Sequence, residues 1–179
     1  MDIHFITGNE NKLKEVKEIL NIDIKSKAID LPEIQALNGI EIVKDKAERA
    51  FNKIQKPVLV EDTGVYIEGW NNFPGALIKW MMKTLDCKGI SKMIQPFENK
   101  KAFAETIFCL YNGQDFNIFQ GKINGKIVEP RGETNFGWDP IFEVEQTGKT
   151  FAEMTSQEKN NLSMRKIALE KLKEFLKNN

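Results

Sequence analysis

The stretch Asp2-Ile3-His4-Phe5-Ile6-Thr7-Gly8-Asn9-Glu10-Asn11-Lys12 decides the fold class. A β-leaning run over residues 2–6 passes into Thr7-Gly8-Asn9. Leu13, Val16, Ile19 and Leu20 then recur at helical spacing with charges between them. Strand, short glycine turn and helix follow one another within about twenty residues, so α/β organisation is expected from the outset. The turn also carries chemistry. A glycine lets backbone approach a ligand, N–H groups at a helix start point outward, and Lys12 adds charge in the first helical turn. That arrangement suits phosphate. The same residues would also make a plain strand-to-helix turn with a solvated lysine. Neither a P-loop nor a GxGxxG pattern occurs.

Outward from this unit, Ile22 and Ile24 alternate with polar neighbours as a second strand, and residues 30–39 read as a loop. Val43, Ala47, Ala50, Phe51 and Ile54 restore the helical period until Pro57 stops it. Val58-Leu59-Val60 reads as a buried strand delivering Glu61-Asp62 at its end, with a further strand at residues 65–68 and a loop over 69–75. Two helices are expected near residues 76–85 and 89–96. A hairpin over 102–111 and 116–123 turns at Asn112-Gly113. Shorter strands are expected at Ile127-Val128 and over 141–144. Thr155-Ser156-Gln157-Glu158 has the form of a capping box, and Ile167, Leu169, Leu172, Phe175 and Leu176 mark a final amphipathic helix. No repeat or linker divides the chain, so residues 1–179 read as one mixed α/β domain.

Composition then excludes whole classes of function. Lys plus Arg is 26 and Asp plus Glu is 26, so the formal net charge is zero, against a dedicated DNA or RNA binder. No apolar run approaches a membrane span, and no signal-peptide pattern is present. The two cysteines, Cys87 and Cys109, lack metal-ligand spacing, which points to a reducing cytoplasm. With His4 the single histidine, Ser-His-Asp, Cys-His and multi-histidine metal chemistry are poor fits. Carboxylates, lysines, arginines and hard metal ions remain.

Three further segments could use them. Glu61-Asp62-Thr63 follows a buried run, and oxygen ligands suit Mg²⁺, with Glu33 able to share the ion; the acids could equally cap a turn. Phe136-Gly137-Trp138-Asp139-Pro140 places two aromatics and a carboxylate around a glycine, which suits stacking on a planar base while the acid bonds its edge. An aromatic corner of the core is the alternative. Lys159, Arg165 and Lys166 lie on the last helical stretch, where a solvated basic face is the plain reading.

Together these segments resemble the inosine triphosphate pyrophosphatase family, the Ham1-like nucleoside triphosphate pyrophosphatases. The matching pieces are Thr7-Gly8-Asn9-Glu10-Asn11-Lys12, Asp30-Leu31-Pro32-Glu33, Val60-Glu61-Asp62-Thr63-Gly64 and Phe73-Pro74-Gly75. Phe136-Gly137-Trp138-Asp139-Pro140, Phe151-Ala152-Glu153-Met154 and Glu158-Lys159-Asn160 follow in the family's order. The resemblance implies a homodimer and an elongated mixed sheet with flanking helices, two lobes enclosing a central nucleotide-binding cleft. It implies hydrolysis of deaminated purine nucleoside triphosphates (ITP, dITP, XTP) to the monophosphate and pyrophosphate, with Mg²⁺ or alternatively Mn²⁺. On the same resemblance, Thr7, Gly8, Asn9 and Lys12 cradle the triphosphate, with Glu10 and Asn11 in the same segment and Thr63 beside the acids. Glu33 and Asp62 hold the metal, and Asp62 is the base for the attacking water. Lys46 and Lys79 match two further family lysines. Phe136, Gly137, Trp138 and Asp139 hold the base, with Lys159 and Arg165 completing the pocket.

One position departs. The family's usual Ser-His-Arg is here Ser163-Met164-Arg165. Methionine cannot donate a hydrogen bond to the 6-oxo group, so either Met164 lines the base pocket and narrows the margin of ITP over ATP, or it points into the core. Two rival functions remain beside this one: the same chemistry on another modified nucleotide, and a nucleotide-binding module without turnover.

Overall fold

A computed structural model describes residues 2–21, 24–134 and 136–178. The described residues build one seven-stranded mixed sheet with five α-helices. Strand β1 (His4–Ile6) passes through the Thr7-Gly8-Asn9 turn into α1 (Glu10–Leu20). β2 (Lys25–Lys27) and α2 (Gly39–Ile54) follow, then the long strand β3 (Val58–Ile67) and the short β4 (Phe73–Gly75). After α3 (Ile78–Ile94) come the hairpin strands β5 (Lys101–Tyr111) and β6 (Phe116–Ile127), and then β7 (Phe142–Val144). Helices α4 (Ser156–Leu162) and α5 (Met164–Asn178) complete the fold.

The sheet runs β2-β1-β3-β5-β6-β7, with β4 also paired to β3. β1 lies parallel to β2 and β3, and the other pairings are antiparallel. One edge of β3 is shared. β1 pairs with Val58 and Leu59, β4 pairs with Val65 to Ile67, and residues 60–64 between them take no strand partner on that side among the described residues. The opposite edge pairs with β5 along all ten residues.

Alternation along β3 sends Val58 and Val60 toward α2, where they pack with Val43, Ala47 and Ala50. Leu59 faces the other way, into a cluster with Phe5, Val16 and Leu20, and with Ala168 and Leu169 of α5. A third cluster gathers Val65, Ile67, Ile78, Ile90, Trp138, Phe142 and Phe151 at the far end of the sheet. Together these give the expected mixed sheet flanked by helices.

Several expectations change. The second strand lies at Lys25–Lys27. All three of its residues are exposed, so an edge strand without a buried face leaves no apolar alternation to read; Ile22 lies outside the described residues. Glu61-Asp62 sits in mid-strand and residues 65–67 continue the same strand, because β5 pairs straight through the polar interruption. Ile127 ends β6 and founds no separate strand. The two helices expected after residue 75 form one run broken at Asp86, whose φ of 55° and ψ of −173° leave the helical region. The Asp86 carboxylate then accepts from Gly89 N at 3.0 Å, capping the second half.

The Thr155–Glu158 capping box forms reciprocally: Thr155 Oγ1 accepts from Glu158 N at 3.2 Å, and Glu158 Oε2 accepts from Thr155 N at 2.7 Å. After the helix it starts, α5 crosses β6 at Gly121. A Cβ there would lie 1.9 Å from the Met164 carbonyl oxygen and 2.7 Å from Ala168 N, so only glycine admits the helix this close. Gly121→Ala should therefore lower the unfolding free energy by about 1–3 kcal/mol with an unchanged urea m-value. An unshifted urea midpoint would show that α5 can lift off β6 freely.

Candidate active site

Where β3 lacks a neighbour on one edge, a cavity of about 540 Å³ opens. Its walls come from the β1–α1 turn (Thr7, Gly8, Asn9), α2 (Lys46), β3 (Glu61, Asp62, Thr63), the start of α3 (Lys79, Trp80) and Phe136 to Trp138. A second cavity of about 260 Å³ lies behind Phe136 and is lined by Asn11, Glu15, Asp139, Phe151 and Lys159 among others. Phe136 borders both.

The β1–α1 turn is pre-formed by its own side chains. Thr7 Oγ1 accepts from Asn9 N at 3.1 Å, and Asn9 caps α1 by accepting from Lys12 N at 3.1 Å. A Cβ on Gly8 would meet nothing within 4 Å, so the backbone here faces open space. Glu10 is exposed in the first turn of α1, and Asn11 borders both cavities.

Adjacent carboxylates on β3 face opposite ways. Asp62 shares its face with Val60 and looks toward α2; Glu61 looks toward α1 and α5. Lys46 Nζ lies 3.0 Å from Glu33 Oε1 and 3.3 Å from the Glu61 carbonyl, and Lys79 Nζ lies 3.6 Å from Glu33 Oε2. Burial works to raise the Glu33 carboxyl, but Lys46, Lys79 and Lys12 outweigh it and hold it below its usual range. Asp62 behaves oppositely. Burial dominates and lifts its carboxyl, against Lys12 and Lys46, with Glu33 and Glu61 adding to the rise.

On the other face the charges form a chain. Asp139 Oδ2 lies 2.6 Å from Lys159 Nζ, which lies 3.4 Å from Glu15. Glu15 also pairs with Arg165. Arg165 clasps Glu61 through Nε at 3.1 Å and Nη2 at 2.8 Å, and Glu61 holds Lys12 at 3.2 Å. Burial works against both charges of the Arg165–Glu61 pair, yet each partner holds the other ionised far beyond its usual range. The Phe136 ring covers the cations, with Lys159 Nζ 4.2 Å and Arg165 Cζ 5.4 Å from its centre. Gly137 takes a φ of +40° in the turn that presents this ring.

The structure thus gathers Thr7, Gly8, Asn9, Lys12, Glu33, Lys46, Asp62, Thr63, Lys79 and the Phe136-Gly137-Trp138 corner around one cavity, with Asp139 and Lys159 around the next. Arg165 has no exposed surface and borders neither. Met164 is also fully buried, packed in the apolar cluster that holds Trp138 and Phe151, so its side chain faces the core. The sequence does not single out Glu15, and Glu61 reads there only as one of the acids beside Asp62, not as the partner of Arg165 and Lys12. Glu61 stood beside Asp62 in the quoted motif, whereas Glu15, an ordinary acid on an amphipathic helix, carried no signal.

The Ham1 family model matches residues 3–175. An inosine triphosphate pyrophosphatase of Saccharomyces cerevisiae is 44% identical over 191 residues, covering 99% of this chain and 97% of that protein. One from Aspergillus fumigatus is 47% identical over 178 residues, covering 97% and 94%. A HAM1 protein structure from Coxiella burnetii superposes with a TM-score of 0.84 at 29% identity, covering 99% of this chain and 98% of its own.

Asp139 gives a pH prediction. Burial, opposed by Lys159 and Arg165 and aided by Glu15, pushes its carboxyl up to about 6. Between its ordinary value and about pH 6 the folded protein holds a proton that the unfolded chain has released, so this group's contribution to stability falls as pH rises through that window. Relative to Asp139→Asn, the wild type should lose about 2–3 kcal/mol between pH 4 and 7 in urea unfolding. Parallel stability curves for the two proteins would contradict the burial argument.

Proposed function

Because the chain belongs to the Ham1 family, we propose that it hydrolyses inosine triphosphate and related deaminated purine nucleoside triphosphates to the monophosphate and pyrophosphate. The observation that carries this reading is the β3 segment Glu61-Asp62-Thr63, which lines one cavity together with Lys12, Lys46, Lys79 and the Phe136–Trp138 corner. A triphosphate would lie against Thr7, Gly8, Asn9 and Lys12, with Lys46 and Lys79 beside its far phosphates. Each lysine is already held by a carboxylate, so little further ordering is needed when the anion arrives.

Glu33 and Asp62 fit a hard divalent ion. Among the described residues no group of three or more His, Cys, Asp or Glu side chains forms a complete cage. Two carboxylates facing a phosphate site suit an ion that keeps water and substrate oxygens as its other ligands. When bound, Mg²⁺ (or Mn²⁺) would supply charge stabilisation to the phosphates.

The chain's own groups account for the remaining steps. Water attacks the α-phosphorus, a new P–O bond forms, and the bond from that phosphorus to the bridging oxygen breaks. Asp62 accepts the water's proton, a role that its raised basicity favours. Lys12, Lys46 and Lys79 neutralise the charge that gathers on the departing pyrophosphate. At the base end, Asp139 Oδ1 is buried with no hydrogen-bond partner among the described residues and can accept from a ring N–H, while Phe136 offers its face and Lys159 a donor. This reading includes a homodimer acting on the nucleotide pool of the cytoplasm; no helix among the described residues is long and apolar enough to cross a membrane.

Product analysis tests the bond cleaved: IMP and pyrophosphate support the reading, whereas IDP and orthophosphate overturn it. Asp62→Asn should cost roughly 10²–10⁴-fold in kcat while ITP still binds, the range ascribed to losing a general base. Near-normal turnover in that variant at saturating Mg²⁺ would remove Asp62 from the chemistry. Met164→His places an imidazole in the apolar core, so stability should fall by about 1–3 kcal/mol while the ITP-to-ATP ratio of kcat/KM stays unchanged. A raised ratio would instead return residue 164 to the base pocket.

A further inference from the structure

Glu61 is only 3% exposed, yet it sits at the centre of the site. Its Oε1 accepts from Thr63 Oγ1 at 2.7 Å and from Arg165 Nη2 at 2.8 Å, and it lies 3.2 Å from Lys12 Nζ. Its Oε2 accepts from Arg165 Nε at 3.1 Å. Three donors crowd Oε1 and one meets Oε2, so Glu61 is engaged chiefly with the protein's own cations, unlike its neighbour Asp62 on the opposite face of β3.

What it does hold is informative. Lys12 lies in the first turn of α1, next to the phosphate-facing turn. Arg165 opens α5 and lies under the ring of Phe136, the residue that borders both cavities. Among the described residues, Glu61 is the carboxylate that touches both cations. We propose that Glu61 is a positioning residue that couples the two ends of the site, fixing Lys12 toward the triphosphate and Arg165 beneath the base-binding ring. This rests on the nucleoside triphosphate pyrophosphatase reading given above. A base that seats correctly against Phe136 keeps Arg165 in place, and through Glu61 keeps Lys12 aimed at the phosphates. Discrimination between bases then appears in the placement of the reacting phosphate as well as in binding.

The test compares wild type, Glu61→Gln and Glu61→Asp with two readouts in parallel. Inhibition by inorganic triphosphate reports the phosphate end, and the ITP-to-ATP ratio of kcat/KM reports the base end. The glutamine variant keeps the size but loses the charge, leaving a buried guanidinium short of a partner. Both the inhibitor affinity and the ITP-to-ATP ratio should fall by about 10-fold or more, a range expected when a buried charged contact is broken. Glu61→Asp keeps the charge one methylene back from both cations, so it should recover part of each loss. It carries the same test if the glutamine variant does not fold. A lower melting temperature with both readouts unchanged would make Glu61 a structural anchor only and overturn the proposal. Loss at one end alone would likewise overturn the coupling. Wild-type protein that does not hydrolyse ITP in the same assay would instead refute the functional reading itself.

Discussion

A guanidinium with no exposed surface can persist inside a protein only where carboxylates converge on it, and Arg165 is held by Glu61 and Glu15 together. Its burial fixes much else. Arg165 is the second residue of α5, so the helix must begin close against β6, and Gly121 supplies the missing side chain that allows it. Glu15 must face inward from α1, and Glu61 must face α5 from β3. Replacing a buried ion pair by apolar residues is often neutral or stabilising, whereas removing one partner costs about 3–5 kcal/mol. Such a cluster is therefore weak evidence for stability. On the proposed function, its value would lie in placing cations closely at a site that holds a crowded anion.

The chain of alternating charge continues past Arg165. From Asp139 through Lys159, Glu15, Arg165 and Glu61 to Lys12, three acids alternate with three bases. Locally the charges cancel, as they do over the whole chain. On the proposed reading, a triphosphate would meet no diffuse basic surface but Lys12 at one end of the chain and Lys46 and Lys79 on the Glu33 side of the main cavity.

Some of this was legible in the sequence because it rests on local physics. Asn112-Gly113 between two β-rich runs marks a hairpin wherever it occurs, and the Thr155–Glu158 box needs only its own four residues. The glycine turn before Lys12 reads from its own residues, whereas Lys46 and Lys79 match only through the family resemblance, and their pairing with Glu33 comes from the fold. Other features depend on partners far along the chain and left no local mark. β2 is three exposed residues paired to β1, so its strand character comes from its neighbour alone. The role of Glu15 depends on Lys159 and Arg165, some 150 residues away, and an acid on a helix surface looks the same with or without them. Met164 drew attention as a departure from a pattern, yet its burial follows from α5 crossing β6, which no single segment encodes.

The period of a β-strand does the final sorting. Glu61 and Asp62 are chemically near-identical neighbours, and nothing in their composition says which one is structural. Alternation sends Glu61 to the face where α1 and α5 bring Lys12 and Arg165, and there both cations pair with it. It sends Asp62 to the α2 face, where burial raises its basicity. The edge beside them stays open because β1 stops pairing at Leu59 and β4 begins at Val65. A one-residue shift in register would turn Glu61 toward α2 and Asp62 toward Arg165. The ten-residue pairing of β3 with β5 prevents that shift, and so the sheet, more than the two acids themselves, decides which carboxylate faces α2 and which faces Arg165.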